Sequence, residues 1–250
     1  MRPTLGDLVP SDGSVSVTVL TGAGISASAG LGTFRGAGGL WTVAPSLEEA
    51  LHARYLPGNI PVLWRVWGGL RHRARQAGPT PGHRALALAG ATVITQNVDG
   101  LHQDAGSDPV HEVHGSAAYS RCLSPRCGYR EESSWQDGES VPTCPECGSP
   151  MRPDLVLFGE PLDSDVWREA SGAAQSCDVF LAVGTSAFVT PASWLAPIAR
   201  DSGALCINVN IDPARPPGDP FHHHLVGEAD AVLTAWMGSR DAAATTGSRV

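Results

Sequence analysis

Two cysteine pairs carry the sharpest chemical signal in the chain: Cys122 with Cys127, four residues between them, and Cys144 with Cys147, two residues between them. The stretch separating the pairs holds the turn formers Gly128, Gly138 and Pro142, so both pairs can fold back onto one point. This is zinc-ribbon spacing, with four thiolates placed tetrahedrally at about 2.3 Å from one zinc ion. Two disulfides or unliganded thiols are the alternative. The opening MRPTLGDLVPSDG has no apolar leader core, which leads us to expect a cytoplasmic, reducing address that disfavours disulfides. Four protein thiolates leave zinc no open position, so the metal would hold the fold and catalysis must come from elsewhere. Cys177, in CDVFLAV, and Cys206, in ALCINV, read as core residues.

A glycine-rich turn, Thr21-Gly22-Ala23-Gly24-Ile25-Ser26-Ala27, follows an apolar run and fits the dinucleotide fingerprint in its form ending in Ala. Glycines there allow a tight turn and close backbone approach, so that a pyrophosphate can rest on a helix N-terminus. A dehydrogenase would also need a strand ending in Asp or Glu roughly 20 residues on. The interval Gly32 to Trp41 supplies neither, and a turn without any ligand stays open on this segment alone. A second cluster, Gln96, Asn97, Asp99 and His102, follows another apolar run, with His111, Glu112 and His114 shortly after. In an open α/β sheet the carboxyl edge binds ligands, so Gln96, Asn97, Asp99 and His114 are expected to face one cavity, with Asp99 and His114 as an acid/base set. Any single His or Asp of the set reads first as a cap or a satisfied loop residue; only the ensemble points to chemistry.

The elements that position these groups are short apolar runs rich in β-branched residues: Val15 to Leu20, Ala91 to Thr95, Val179 to Val183 and Ala204 to Val209. Helix-like stretches, such as His83 to Ala89 and Asp163 to Ala174, lie between several of them. Continuous apolar strands alternating with helices predict an α/β fold, a Rossmann-like doubly wound parallel sheet. Residues 1–40, 82–115 and 153–240 are assigned to that domain. A helical insertion at 41–81 and a zinc-ribbon insertion at 116–152 are expected to form a small domain, and 241–250 a disordered tail.

Composition removes whole reaction classes. All 17 basic residues are Arg, so P-loop, kinase and Schiff-base lysine chemistry is absent. A net charge of -8 disfavours nucleic acid as the main partner, and no apolar run approaches the roughly 20 residues of a membrane span.

The motifs together resemble the sirtuins, NAD-dependent protein lysine deacylases of bacterial type. The resemblance rests on GAGISASAG with TFRGAGGLW, TQNVDGLH, EVHGS, the two cysteine pairs, RPDLVLFGE, VGTS and INVN, in family order over about residues 15 to 235. It implies a Rossmann-type large domain with a small zinc domain, NAD consumed as co-substrate, one structural zinc, and acylated proteins as partners of a monomer. Carried onto this sequence, it makes His114 the catalytic base, with Asn97 and Asp99 arranging nicotinamide and its ribose and Gln96 a ribose contact. Phe34 and Arg35 fall on the cofactor loop. Gly22, Ala23, Gly24 and Ile25 line the phosphate and nicotinamide region, Gly184, Thr185 and Ser186 hold phosphate and ribose, and Asn208 takes the adenosine ribose. Val156, Phe158 and Gly159 match the segment that pairs with acyl-lysine peptide by strand addition.

The implied reaction has the acyl oxygen attack the anomeric carbon as nicotinamide leaves. His114 then deprotonates a ribose hydroxyl so that it attacks the imidate carbon, and water completes the acyl transfer, giving free lysine and O-acyl-ADP-ribose. Mono-ADP-ribosyl transfer to a protein and a non-enzymatic NAD-sensing module are the rival functions. His102 and His111 read as structural, and His222, His223 and His224 as a solvated loop. Three features depart from or test the family pattern. Ala29-Gly30-Leu31-Gly32 replaces the usual Ser-Gly-Ile-Pro, and the first cysteine pair is widened. In the branch that removes succinyl groups a Tyr and an Arg grip the acyl carboxylate; Trp67 and Leu70 fall at those positions, so neutral acyl chains are expected unless Arg71 or Arg73 reaches the pocket.

Overall fold

Strand β1 (Val17–Thr21) becomes the middle of the molecule because its residues are apolar or Thr without polar alternation, a pattern that is stable only when both faces are covered. The computed structural model describes residues 3–33, 44–136, 138–185, 190–212, 215 and 218–246. On one side β1 pairs in parallel with β2 (Thr92–Thr95), which pairs with β3 (Val110–Glu112). On the other it pairs with β7 (Val179–Val183), followed by β8 (Leu205–Asn210) and β9 (His223–Val226). The resulting six-stranded order, β3-β2-β1-β7-β8-β9, is all parallel and doubly wound, as the alternation predicts.

Strand periodicity divides the core into two layers. Leu181 and Val183 of β7 point to one face, where they meet Val19, Ile207, Leu86 and Trp236. Phe180 and Ala182 point to the other, against Leu20, Ile94, Cys206 and Cys177. Helix α5 (Pro81–Ala89), started by the Thr80 capping box with Pro at its first turn, and α9 (Ala229–Thr246) cover the first face. Helices α7 (Ser164–Ser176), capped by Asp163, and α8 (Leu195–Asp201) cover the second. Helix α9 extends six residues into the segment read as a tail, where Ala242, Ala243 and Ala244 favour helix more strongly than any other residue type. Residues 247–250 lie outside the described residues. Among the described residues no helix is long and apolar enough to cross a membrane.

The two insertions pack on each other. Helix α3 (Ile60–Leu63) continues through a π-helical stretch, Trp64–Gly68, into α4 (Gly69–Ala77). This rod lies against an antiparallel sheet of β5 (Arg130–Glu132), β4 (Gly115–Cys122) and β6 (Met151–Leu155). Trp64 donates Nε1–H to the Met151 carbonyl at 2.8 Å, and Leu63, Trp67 and Leu70 pack on Ala117, Leu155 and Leu157. Strand β4 begins directly after His114, so the small sheet and the proposed base share one strand start.

Candidate active site

The sheet order reverses between β1 and β7, and the turns leaving these strands interlock there. Gly24 donates its N–H to the Gly184 carbonyl at 2.9 Å, and Gly22 donates to Val183 at 3.1 Å. A Cβ on Gly24 would come within 2.6 Å of Gly184 Cα, and Gly184 itself sits at φ +60, so both positions require glycine. The amides of Gly24 and Ile25 are thus already bonded within the protein, Ile25 to the Gly22 carbonyl, and the turn offers a ligand close backbone approach more than free donors.

Behind β2 the chain places its polar cluster. Gln96 donates Nε2–H to Thr185 Oγ1 at 2.8 Å, tying the second strand to the turn after β7. Asn97, 5% exposed, donates Nδ2–H to the Gly22 carbonyl at 3.1 Å and to Ser26 Oγ at 3.3 Å. Asp99 accepts from Ser26 Oγ at 2.7 Å and from the Leu101 N–H at 3.0 Å. Gly100 turns the backbone in the left-handed region, φ +75, and Arg71 donates Nη1–H to the Asp99 carbonyl at 2.6 Å while pairing with Asp104 at 3.0 Å. His114 Nδ1 lies 3.0 Å from the Gln96 carbonyl. A carbonyl only accepts, so Nδ1 carries the proton and Nε2 keeps its lone pair. Burial holds the His114 imidazole below the ordinary histidine range, against the opposing pull of the Gln96 carbonyl.

One cavity of about 860 Å³ gathers most of the expected residues. Gly22, Ala23 and Gly24 form one part of its wall, Gln96, Asn97 and His114 a second, Gly184, Thr185 and Asn208 a third, and Val156, Phe158 and Gly159 a fourth. Asp99 and Ile25 do not line it: Asp99 is held by Ser26 Oγ and the Leu101 N–H, and Ile25 is buried in the core under the glycine turn. Among the described residues no hydrogen bond joins Asp99 to His114, because Ser26 and Leu101 hold the one and Gln96 the other. Phe34, Arg35 and Ser186 lie outside the described residues.

The wall at Val156–Gly159 is fixed from several sides. Val156 donates its N–H to the His114 carbonyl at 2.9 Å, and Phe158 accepts from the Ala53 N–H at 2.9 Å. Glu160 accepts from the Leu157 N–H and from Arg152 Nη2, which reaches both carboxylate oxygens at 2.9 Å with its side chain only 2% exposed. Trp67 lines the cavity, whereas Leu70 packs in the small-lobe core and Arg71 faces the Asp99 turn; Arg73 is not on the wall either.

Sequence reasoning missed Ser26, which braces both Asn97 and Asp99, and the indoles of Trp167 and Trp194, which border the cavity with ring centroids 6.5 Å apart. A hydroxyl inside the glycine turn was the available signal for the first; nothing local marks the second. His102 is buried with Nε2 2.9 Å from Thr21 Oγ1. His111 Nδ1 lies 3.5 Å from Glu169.

In the small lobe the four sulfurs of Cys122, Cys127, Cys144 and Cys147 lie within 4.8 Å of one another, Cys122–Cys147 at 3.4 Å and Cys127–Cys144 at 3.7 Å. Bonds of about 2.3 Å to a central zinc place tetrahedral sulfurs roughly 3.8 Å apart, whereas a disulfide needs about 2.05 Å. All six cysteines are free, so the quartet fits one structural zinc and the disulfide alternative falls.

The comparison with known proteins agrees with this geometry. The profile of the Sir2 family matches residues 22–191. The chain is 41% identical to NAD-dependent protein deacylase 2 of Pyrobaculum aerophilum over 231 residues, covering 90% of this chain and 91% of that one. It is 39% identical to NAD-dependent protein deacylase 1 of Pseudomonas aeruginosa, covering 88% and 92%. Among solved structures it is similar to a Sir2 homolog–NAD complex, with TM-score 0.80, 34% identity and coverage of 94% and 93%. A mutant Sir2 homologue in complex with ADP-ribose gives TM-score 0.85 at 32% identity, covering 97% and 98%.

Proposed function

The chain belongs to the Sir2 family, and from that premise we propose that it removes acyl groups from protein lysines while consuming NAD. One observation carries the reading: among the described residues the Nε2 lone pair of a neutral His114 has no partner, on the wall of the cavity that also holds the glycine turns, Asn97 and Asn208. In this reading NAD lies across the β1/β7 switch point, with Gln96 and Asn97 against the nicotinamide ribose and Asn208 at the adenosine ribose. Among the described residues the buried Oδ1 of Asn208 has no hydrogen-bond partner, which fits a ligand hydroxyl there. The acyl-lysine peptide runs along Val156, Phe158 and Gly159. Nicotinamide leaves as the acyl oxygen attacks the anomeric carbon, His114 Nε2 takes the proton of the ribose hydroxyl that next attacks the acyl-derived carbon, and water then completes the transfer as free lysine leaves. Asp99 acts from behind, holding Ser26 and through it the Asn97 amide.

Zinc on the cysteine quartet supplies folding free energy to the small lobe and takes no part in these steps. For the acyl group the wall offers Trp67, Leu51, Leu155 and Leu157 and, among the described residues, no guanidinium, which supports acetyl or another neutral acyl chain over succinyl. We take the enzyme to work as a cytoplasmic monomer on acylated proteins, without nucleic acid.

The test is nicotinamide release from NAD with and without an acetyl-lysine peptide. Release should require the peptide and be accompanied by O-acetyl-ADP-ribose, and deacylation should fall 10²- to 10⁴-fold in His114→Ala while NAD still binds. Peptide-independent release, with ADP-ribose attached to protein, would replace deacylation by ADP-ribosyl transfer.

A further inference from the structure

The histidine run at the sheet edge, set aside on sequence grounds as a solvated loop, is strand β9, and its register places His224 opposite Asn208. Both side chains are largely enclosed, Asn208 at 6% and the His224 side chain at 11% exposure. Asp219 Oδ2 lies 2.9 Å from His224 Nε2, and His224 Nδ1 lies 3.3 Å from Asn208 Nδ2. The proton positions follow from which groups can accept. A carboxylate only accepts, so Nε2 carries hydrogen, and the tautomer with its single hydrogen there leaves Nδ1 as the lone-pair nitrogen. The imidazole in this tautomer selects one of the two orientations of the Asn208 amide, with Nδ2 toward β9 and Oδ1 as the remaining acceptor, unpartnered among the described residues.

We propose that Asp219 and His224 are positioning residues for NAD: they fix the Asn208 amide so that its oxygen accepts a hydrogen bond from the adenosine ribose. The proposal rests on the reading of the cavity as an NAD site. Without His224 the amide is free to rotate and present Nδ2 instead, which forces the ribose hydroxyl to act as acceptor and costs the pre-set geometry. The Phe221 ring, edge-on to the His224 imidazole at 5.7 Å, helps to hold the imidazole in place. The chemistry at His114 is untouched by this arrangement, so the effect belongs in NAD affinity and not in turnover.

Titration calorimetry with NAD and steady-state kinetics on one acetyl peptide test this in the full chain. His224→Leu is expected to raise Kd and KM for NAD about tenfold, with kcat at saturating NAD and KM for the peptide unchanged. His224→Gln, which can accept from Asn208 and donate to Asp219, should restore most of the affinity. In an Asn208→Ala background His224→Leu should add nothing further, because its effect passes through that amide. Should His224→Leu fail to fold, Asp219→Ala keeps the ring but frees its tautomer, and a threefold or larger rise in Kd is expected. Unchanged NAD affinity in a folded His224→Leu, or in Asp219→Ala where that variant stands in, would overturn the proposal, as would an additive loss in the double variant. Failure of the wild-type chain to bind NAD would instead overturn the reading of the cavity.

Discussion

Replacing Arg71 with Met removes the clamp on the turn that carries Asp99. Arg71 Nη1 donates to the Asp99 carbonyl at 2.6 Å and pairs with Asp104 at 3.0 Å, and its side chain is 12% exposed. A hydrogen bond from a charged donor to a carbonyl contributes about 1.5–3 kcal/mol. The ion pair, whose Asp104 side is 37% exposed, adds no more than about 1 kcal/mol. Met keeps most of the apolar stem, so the loss centres on the uncoupled carbonyl and on the left-handed Gly100 turn beside it. If about 2 kcal/mol of it appears as misplacement of Asn97 and Asp99, kcat/KM falls roughly 30-fold. The assay is kcat/KM on one peptide bearing acetyl- or succinyl-lysine, with melting temperature followed alongside. Succinyl should be the poorer substrate in the wild type, and Arg71→Met should lower both activities by the same factor. Asp104→Asn, which spares the carbonyl bond, should lose less than about threefold. A selective loss of succinyl activity would put Arg71 in the acyl pocket and refute the clamp; unchanged kinetics on both substrates would show that the turn holds its shape unaided.

The zinc site predicts one metal per chain, and Cys144→Ala should lower the melting temperature and bring activity down only in step with loss of fold; active protein free of zinc by metal analysis would contradict it. Stability should also fall on acidification. Burial holds His102 well below the ordinary histidine value and lowers His83, so the native state keeps both neutral where the unfolded chain takes up protons. Stability is therefore level above about pH 6.5 and drops as the pH is lowered from there. Denaturant midpoints measured between pH 8 and pH 5 check this, and a midpoint that holds steady or rises toward pH 5 counts against it.

The strands with continuous apolar runs were legible because nothing but double-sided burial stabilises such a sequence: β7 covers the expected residues, and β1, β2 and β8 lie within two residues of them. Strands β3 and β9 escaped notice because they are short edge strands, only partly covered, whose residues VHE and HHLV form no continuous apolar run. That same edge hid the Asp219–His224–Asn208 chain, since a cross-strand register cannot be read from one strand. The site's reacting groups were legible because they come in dense motifs after strand ends. Their braces were not: Ser26, Arg71 and Arg152 act on groups 73, 28 and 8 residues away along the chain, separations that carry no periodic signature. Asp99 shows the limit from the other side, since its motif position does not reveal that it is bonded to Ser26 off the cavity wall.

Strand β1 lies at the centre of its sheet, yet it is the first strand to leave the ribosome. Its partner β2 follows about 75 residues later, and β7, which covers its other edge, about 160 residues later. At a synthesis rate of roughly 5–20 residues per second, one edge of an apolar strand stays unpaired for about 8 to 30 s. During that interval the small lobe is completed first, since all four cysteines emerge before β7. Expression yield in a cell should thus depend on zinc supply and on chaperones that shield a nascent strand more than on the stability of the finished protein. Slower translation after residue 155, or a shortage of holdase, would be felt as aggregation of chains that have a folded zinc lobe and an open sheet.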